Sequence, residues 1–217
     1  LHFKCTLDYS ELKALWPLLK NKLVQGVSGL TKSMEQRGGG ILSLELKDFS
    51  DQIENYYQIF AEFDTCDSMG ANFINSILEE FGEILEHFFR SEYKNDDFPP
   101  EVEIIMAILS NYTPECIVNA EVHCRIEDLK CSSIQEPQLF AEKFKLAVEI
   151  ARIDPYRAST HNKGIFNGID AVVIATGNDF RAVESCGHTY ASRDGQYRSL
   201  SNCEIKNGIF KFNLEMP

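Results

Sequence analysis

The stretch NYYQIFAEFDTCDSMGANFINSILEEFGEILEHFF, residues 55–89, decides the fold of the first half of the chain. Apolar and polar residues alternate up to Asp64, which predicts a strand. After a junction that contains a glycine, apolar residues recur at helical spacing, which predicts a long amphipathic helix. The apolar stripe of this helix consists of Phe73, Ile77, Phe81, Leu85 and Phe88.

The segments on either side extend this strand–helix pair into a recognisable order of elements. They are a strand in LHFKCTL (1–7), a helix from Tyr9 to about Leu30 with a possible kink at Pro17, a glycine turn and strand in RGGGILSLELKD (37–48), and a strand in EVEIIMAILSN (101–111). The resulting order, β-α-β-β-α-β, is the split-βαβ or ferredoxin-like arrangement. We therefore predict an α+β fold whose first domain spans residues 1–112.

The remaining residues, 113–217, predict part of a larger domain of mixed helical and strand character. The expected elements are a strand in CIVNAEVHCRI (116–126), a helix in PQLFAEKFKLAVEIARI (137–153), a helix through Ile165–Thr176, a helix beginning near Asp179, and a hairpin around Asn207-Gly208. Gly164 and Gly168 lie four residues apart, so another helix could approach closely there.

The bulk composition excludes several classes of protein. The 217 residues carry a net charge of −12 without a basic run, which excludes a duplex nucleic-acid reader and disfavours binding to anionic membranes. An anionic cofactor is not excluded, because backbone amides bind phosphate whatever the net charge. The seven scattered cysteines form no CxxC pair, which is typical of reduced thiols in a cytosolic protein. We find no zinc pattern and no apolar run long enough for a membrane helix.

Lys163 is the single lysine of the stretch from Arg157 to Glu184. On the helical interpretation, Lys163 and Asn167 share one helix face, and Asp179 follows at the start of the next helix. An aspartate that holds the lysine protonated would let it donate to a carbonyl oxygen as negative charge develops there. The alternative interpretation, which spacing alone favours, is a structural salt bridge or a plain helix cap by Asp179.

The junction FDTCDSMGAN (63–72) is the second candidate site. A glycine that leads into a helix N-terminus provides free amides and a favourable dipole for a pyrophosphate. The alternative is a helix start capped by Asp67 or Ser68. The motif is not a GxGxxG fingerprint.

The two stretches together, DSMGAN and DPYRASTHNKGIFNGIDAVVIATGNDFRAVE, with ILSN and HTYASRDGQYRSL, closely resemble the bacterial class (class II) of hydroxymethylglutaryl-coenzyme A reductase. The resemblance extends over essentially the whole chain. It implies interconversion of 3-hydroxy-3-methylglutaryl-CoA with mevalonate and free coenzyme A, with two NAD(P)H, in isoprenoid biosynthesis in the cytoplasm. It also implies a homodimer or higher homo-oligomer whose active site lies at the subunit interface.

The resemblance further implies a role for each matching residue. Lys163 matches the catalytic lysine, and Asp179 matches the aspartate that holds it. Arg157 matches the arginine that binds the substrate carboxylate, and Asn167 matches a substrate-contacting asparagine. The positions that match the dinucleotide and active-site motifs are Asp67, Met69, Gly70, Asn72 and Asn111. The first domain then corresponds to the small NAD(P)-binding domain, and residues 113–217 to part of the large CoA-binding domain.

Two catalytic groups of the resembled family have no counterpart in this chain. These are a glutamate proton donor in an E-x-P-type motif and a late histidine that protonates the CoA thiolate. Glu136-Pro137 lies in the wrong place, and His161 lies too close to Lys163. We therefore expect a piece of a longer polypeptide with little turnover alone.

In NAD-selective members of the resembled family, an acidic residue lies seven positions before the glycine turn, where it can hydrogen-bond the ribose hydroxyls. An acid there suits NADH, whereas this chain has Thr31 followed by Lys32, which favours NADPH over NADH. Two alternative functions remain: a non-catalytic dinucleotide- or CoA-binding module, and a lyase that uses Lys163 as a Schiff-base nucleophile.

Overall fold

The computed structural model describes residues 1–94 and 99–217. Its contacts divide the chain into two compact units, Leu1–Leu109 and Ser110–Pro217. Each unit combines helices with one antiparallel sheet, so the predicted α+β class is confirmed. The division falls three residues before the boundary that we expect from the sequence.

The first unit contains a four-stranded antiparallel sheet in the order β2-β3-β1-β4. Its elements are β1 (His2–Cys5), α1 (Tyr9–Gly26), α2 (Ser28–Glu35), β2 (Gly40–Asp48), β3 (Tyr56–Asp64), α3 (Ala71–His87), a π-helical turn (Phe88–Glu92) and β4 (Val102–Met106). This order of strands is the ferredoxin-like topology predicted from the sequence.

The long helix expected from Tyr9 to Leu30 is two helices. Pro17 lies inside α1 without ending it, and the interruption falls at Val27, between α1 and α2. α1 begins at a capping box in which Asp8 accepts from the Glu11 amide and the Glu11 side chain accepts from the Asp8 amide.

The core of the first unit is formed by α3 against the sheet. Ile77, Phe81 and Leu85 of the predicted stripe are completely buried, together with Phe3 and Tyr57 of the sheet. Burial of each such side chain contributes about 1.5–3 kcal/mol. This packing fixes the direction of α3 and therefore the position of the junction that precedes it.

The second unit contains a three-stranded antiparallel sheet in the order β5-β7-β6. Its elements are β5 (Val118–Arg125), a 3-10 turn (Ile126–Leu129), α4 (Pro137–Ile153), α5 (Pro155–Ala175), α6 (Phe180–Ala191), β6 (Ser201–Lys206) and β7 (Ile209–Met216). The predicted hairpin is confirmed: Asn207 and Gly208 both have positive φ, 53° and 75°, as its two-residue turn requires.

Helices α5 and α6 pack closely at one point. A Cβ on Gly187 of α6 would lie 2.6 Å from Cζ of Phe166 in α5, so glycine is required for this approach. Phe166, Tyr190 and Leu200 form a small buried cluster with Met216 of β7. The cluster holds the helix that carries Lys163 against the sheet.

Within residues 1–94 and 99–217, no helix has the length and hydropathy to cross a membrane. Over the same ranges, no group of three or more metal-ligating side chains is close enough to hold an ion.

Candidate active site

The β3–α3 junction is a short loop held together by its own hydrogen bonds. The Asp64 carboxylate accepts from the Cys66 amide at 2.8 Å, and the Thr65 hydroxyl donates to the Ser68 carbonyl at 2.7 Å. Gly70 ends the loop in the left-handed region with φ +71°, and a Cβ there would collide with the Thr65 side chain. The loop is therefore a shaped turn that only glycine can complete.

The junction leaves the N-terminus of α3 open to a ligand. Among the residues described, no side chain caps the helix, and its first turn contains no acid. Neither Asp67 nor Ser68 is therefore its cap, and the Ser68 hydroxyl donates instead to the Thr65 carbonyl at 2.8 Å. Asp67, Met69 and Asn72 are exposed around these free amides. The arrangement suits an anionic group such as a pyrophosphate.

Thr31 is buried, so its side chain is not offered to a cofactor. Its side chain is 2% exposed and its hydroxyl donates to the Ser28 carbonyl at 3.4 Å. Thr31 and Met34 lie one turn apart on the buried face of α2. Lys32 is exposed, and the preference for NADPH over NADH stays a prediction.

Lys163 and Asn167 lie on one exposed face of α5, as their spacing predicts. Gly164 and Gly168 are beside them, and no atom lies within 4 Å of a Cβ placed on either glycine. The close helix approach that the glycines predict is thus absent within the chain as described. This face of α5 is free for a substrate or for a second polypeptide.

Asn162 fixes the position of Lys163 from inside the protein. Its side chain is completely buried, donates to the Arg198 carbonyl at 2.8 Å and accepts from the Leu200 amide at 3.1 Å. Both bonds join α5 to the segment that enters β6. We did not single out Asn162 from the sequence, although an asparagine at a buried helical position is a signal that could have identified it.

Arg157 and His161 lie one helical turn apart near the start of α5. Burial, and secondarily the charge of Arg157, hold the pKa of His161 below its ordinary value of 6.5. The His161 Nε2 atom shares a 2.7 Å hydrogen bond with the Ser201 hydroxyl. Arg157 is exposed, so its guanidinium is available to a carboxylate.

Asp179 caps α6 and does not pair with Lys163. Its carboxylate accepts from the amides of Arg181 and Ala182 at 3.0 and 3.4 Å and lies 3.6 Å from the Arg181 guanidinium. α5 continues to Ala175 beyond Lys163, which places about 18 Å of helix between the lysine and the next helix. Within one copy of the chain, Asp179 therefore does not hold Lys163, because the rest of α5 separates the two groups.

The predicted site residues thus form two groups. Asp67, Met69, Gly70 and Asn72 lie together in the junction of the first unit. The others, Asn111, Arg157, Lys163, Asn167 and Asp179, belong to the second unit, with Asn111 exposed near its start.

Asp170 is a further polar residue that the sequence argument missed. It follows Lys163 and Asn167 at i+7 and i+3, so it lies on the same side of α5. One oxygen of its carboxylate is buried, and no hydrogen-bond partner for it lies in the described part of the chain. A buried oxygen of this kind calls for a donor.

Comparison with known families gives one match over nearly the whole chain. A family model described as hydroxymethylglutaryl-coenzyme A reductase matches residues 6–217. A probable 3-hydroxy-3-methylglutaryl-coenzyme A reductase of Borreliella burgdorferi is 32% identical over 210 residues, which cover 95% of this chain and 45% of that protein. The corresponding reductase of Archaeoglobus fulgidus is 29% identical and is matched over 91% of this chain and 42% of its own length.

Solved structures show the same similarity. The class II reductase of Streptococcus pneumoniae bound to NADPH in open conformations covers 100% of this chain with a TM-score of 0.79 and 32% identity, over 56% of its own chain. Another structure of the reductase from the same organism gives a TM-score of 0.78 at 32% identity, over 49% of its chain. The chain spans about half the length of the proteins that it matches.

Proposed function

Because the chain belongs to the hydroxymethylglutaryl-coenzyme A reductase family, we propose that it carries the hydride-transfer residues of an enzyme that interconverts 3-hydroxy-3-methylglutaryl-CoA with mevalonate and CoA. The observation that carries this proposal is the exposed Lys163–Asn167 face of α5, which lies inside the family match. Two NAD(P)H supply the hydrides of this four-electron reduction. The complete enzyme is expected in the cytoplasm.

The first unit, in this proposal, binds the nicotinamide dinucleotide at the β3–α3 junction. The open N-terminus of α3 offers amides to the pyrophosphate, and Gly70 lets the loop turn closely over Thr65 before the helix begins. The relative from Streptococcus pneumoniae is described as bound to NADPH, which supports the same class of cofactor here. Asp67, Met69 and Asn72 would contact the dinucleotide, and Asn111 of the second unit is a further proposed active-site position.

In this proposal, Lys163 donates a hydrogen bond to the carbonyl oxygen of the substrate. A protonated amine donates a hydrogen bond to the thioester oxygen, and the bond strengthens as hydride arrives at carbon and negative charge forms on oxygen. The C–S bond then breaks, which expels CoA as its thiolate and leaves an aldehyde. The same amine then donates a hydrogen bond to the aldehyde oxygen during the second reduction. Arg157 would bind the free carboxylate of the substrate, and Asn167 its polar groups.

The acid that holds Lys163 protonated would come, in this proposal, from a second copy of the chain. About 18 Å of α5 separates Lys163 from Asp179 within one copy, so the two groups can meet only between copies or after a large rearrangement. The open glycines beside Lys163 permit a helix to approach, and Asp170 offers an unpartnered oxygen on the same side. A symmetric dimer that packs through α5 would bring Lys163 of one copy close to Asp179 of the other.

Turnover in the complete coding sequence tests the proposed reaction. We expect CoA-thioester-dependent loss of NAD(P)H absorbance, abolished by Lys163→Ala and unaffected by Lys143→Ala, which removes an exposed lysine from α4. Absence of turnover by the unaltered protein with either nicotinamide would contradict the reaction. Full activity of Lys163→Ala would contradict the role of the lysine.

A further inference from the structure

A groove at the C-terminal end of α6 is lined by cationic, phenolic and hydroxyl side chains. It lies wholly within the second unit and has a volume of about 650 Å³. The residues that line it are Tyr112, His188, Thr189, Ser192, Arg193 and Tyr197. None of these described residues is an acid, although the chain carries a net charge of −12. The groove therefore favours a negatively charged ligand.

Arg193 is held in position, but no acid neutralises it. Its Nη1 donates to the Tyr190 carbonyl at 2.9 Å, and the guanidinium carbon lies 3.7 Å from the centre of the Tyr190 ring. In the described part of the chain, no carboxylate lies within 4 Å of its nitrogens. Asp194 pairs instead with Arg198 at 2.9 Å, and Glu215 accepts from the Tyr190 hydroxyl at 2.7 Å. Nε and Nη2 of Arg193 are therefore left for a ligand.

His188 and Ser192 lie one helical turn apart and add further donors. The His188 ring packs against Phe166 with centroids 4.6 Å apart, and its Nδ1 shares a 2.7 Å hydrogen bond with the Tyr197 hydroxyl. When this hydroxyl donates to Nδ1, the ring proton lies on Nε2, which can then donate to a ligand. The Ser192 side chain is exposed. Together with Arg193, these donors suit the three terminal oxygens of a phosphate group.

The helix dipole of α6 does not oppose this ligand as strongly as an open C-terminus would. Free carbonyls at the end of a helix carry partial negative charge and repel anions. Here the carbonyls of Tyr190 and Ala191 accept from backbone amides at 3.2 and 2.9 Å, and Arg193 adds a second donor to the first. About 14 Å of helix also separates His188 from Asp179 at the other end of α6.

We propose that this groove binds the phosphate group of a small ligand, at a site that shares no residue with the proposed active site. Arg193 makes the charged contact, and His188 and Ser192 donate from the last turn of α6. Inorganic phosphate and a phosphate ester share this chemistry. The rings of Tyr112 and Tyr197 line the same groove and favour an ester that carries a planar group.

The test is calorimetric binding of phenyl phosphate, inorganic phosphate and benzoate to the 217-residue chain. We expect phenyl phosphate to bind about tenfold or more tightly than benzoate, which has the same ring but a carboxylate in place of the phosphate. Equal affinities for phenyl phosphate and inorganic phosphate would support the site with free phosphate as its ligand. Weaker binding of inorganic phosphate would support an ester.

Two substitutions locate the binding. Arg193→Gln removes the charge but leaves an amide that can donate to the Tyr190 carbonyl, and it should weaken phenyl phosphate binding about tenfold or more. His188→Phe keeps a ring against Phe166 and removes the Nε2 donor, and it should also weaken binding. Urea denaturation of both variants shows whether the second unit is still folded.

Arg90→Gln is the matched control, because it makes the same change of charge at an exposed arginine of the first unit. It should bind phenyl phosphate like the unaltered chain. Three results would overturn the inference: no binding of either phosphate probe, equal binding of benzoate and phenyl phosphate, or undiminished binding by both groove variants. An equal loss in Arg90→Gln and Arg193→Gln would also overturn it, because net charge and not the groove would then determine the affinity.

Discussion

Asn162 and Lys163 are neighbours in the chain, yet the first side chain is completely buried and the second is exposed. One residue step turns a helix by about 100°, so adjacent positions on α5 face the core and the open side. The two hydrogen bonds of Asn162 therefore set the rotation of α5 about its own axis, and this rotation determines where Lys163 points. The buried residue that stabilises α5 and the exposed residue that we propose to be catalytic are therefore adjacent in the chain.

Removing the Asn162 amide should destabilise the second unit. Asn162→Ala leaves the Leu200 amide and the Arg198 carbonyl without their partner in a buried place, so we expect a loss of about 2–4 kcal/mol in the free energy of unfolding. Urea denaturation measures this loss. Asn167→Ala, on the exposed side of the same helix, is the matched control and should change stability by less than about 0.5 kcal/mol. Equal effects of both substitutions would contradict the anchoring role.

Most of the fold could be predicted from the hydrophobic periodicity of the sequence. The α3 stripe, α4 at Pro137–Ile153 and the Asn207-Gly208 hairpin all follow from patterns local to the sequence. The break at Val27 was not accessible, because Pro17 is the more conspicuous signal and yet α1 accommodates it. Whether the helix breaks at Pro17 or at Val27 depends on tertiary packing, which a local sequence pattern does not contain.

Only part of the candidate site could be predicted from the sequence, and the reason is geometric. The shared face of Lys163 and Asn167 follows from helical spacing, whereas the pairing of Lys163 with Asp179 required the chain to fold back. A continuous helix of 21 residues keeps the two groups apart. The sequence also did not show that Thr31 faces inward or that the turn at Gly39 contacts Cys66, because both depend on how α2 packs.

The pKa of His161 should report the charge of Arg157. Because Arg157 and burial both hold this pKa below 6.5, Arg157→Ala should raise it while burial keeps it below its ordinary value. NMR titration of the His161 ring protons measures the change. Arg181→Ala, which removes an exposed arginine from α6, should leave the titration unchanged. An unchanged pKa in Arg157→Ala would show that the guanidinium points away from the ring.

The same shift predicts how stability depends on pH. The unfolded chain binds a proton at His161 near pH 6.5, whereas the folded chain binds it only at lower pH, so between these values the unfolded state holds more protons. The contribution of His161 to stability is therefore complete above about pH 6.5 and is lost as the pH falls towards the folded pKa. His161→Gln should flatten this part of a plot of urea midpoint against pH; an unaltered slope would contradict the assignment.

The conformation of Gly70 should be necessary for both the junction and the cofactor. Gly70→Ala places a Cβ against Thr65 at a φ of +71°, so we expect a loss of about 1–3 kcal/mol in stability and weakened NADPH binding. Thermal unfolding and nucleotide fluorescence measure the two effects. Gly38→Ala is the control, because its φ is +97° but a Cβ there meets no atom within 4 Å. Equal losses in both variants would mean that backbone strain alone, and not the contact with Thr65, is responsible.

Mixed dimers can decide whether Lys163 and Asp179 of one site come from different copies. If they do, Lys163→Ala and Asp179→Asn each inactivate both sites of their own dimer, whereas a mixed dimer has one intact site. Random mixing in the complete protein should then restore about a quarter of normal turnover, since half the dimers are mixed and half their sites are intact. If both residues serve from the same copy, every site of a mixed dimer carries one substitution. Mixing would then restore no activity.

Capping and catalysis by Asp179 can be separated by two substitutions at the same position. Asn caps a helix as well as Asp, so Asp179→Asn should preserve the bonds to Arg181 and Ala182 and the stability of the chain. Asp179→Ala removes the cap and should cost about 1 kcal/mol, measured by urea denaturation. The catalytic role that we propose for Asp179 requires its negative charge, so both variants should lose turnover in the complete protein although only one loses stability. Normal turnover by Asp179→Asn would leave this residue as a cap alone, and Lys163 would then have to be kept protonated by another acid.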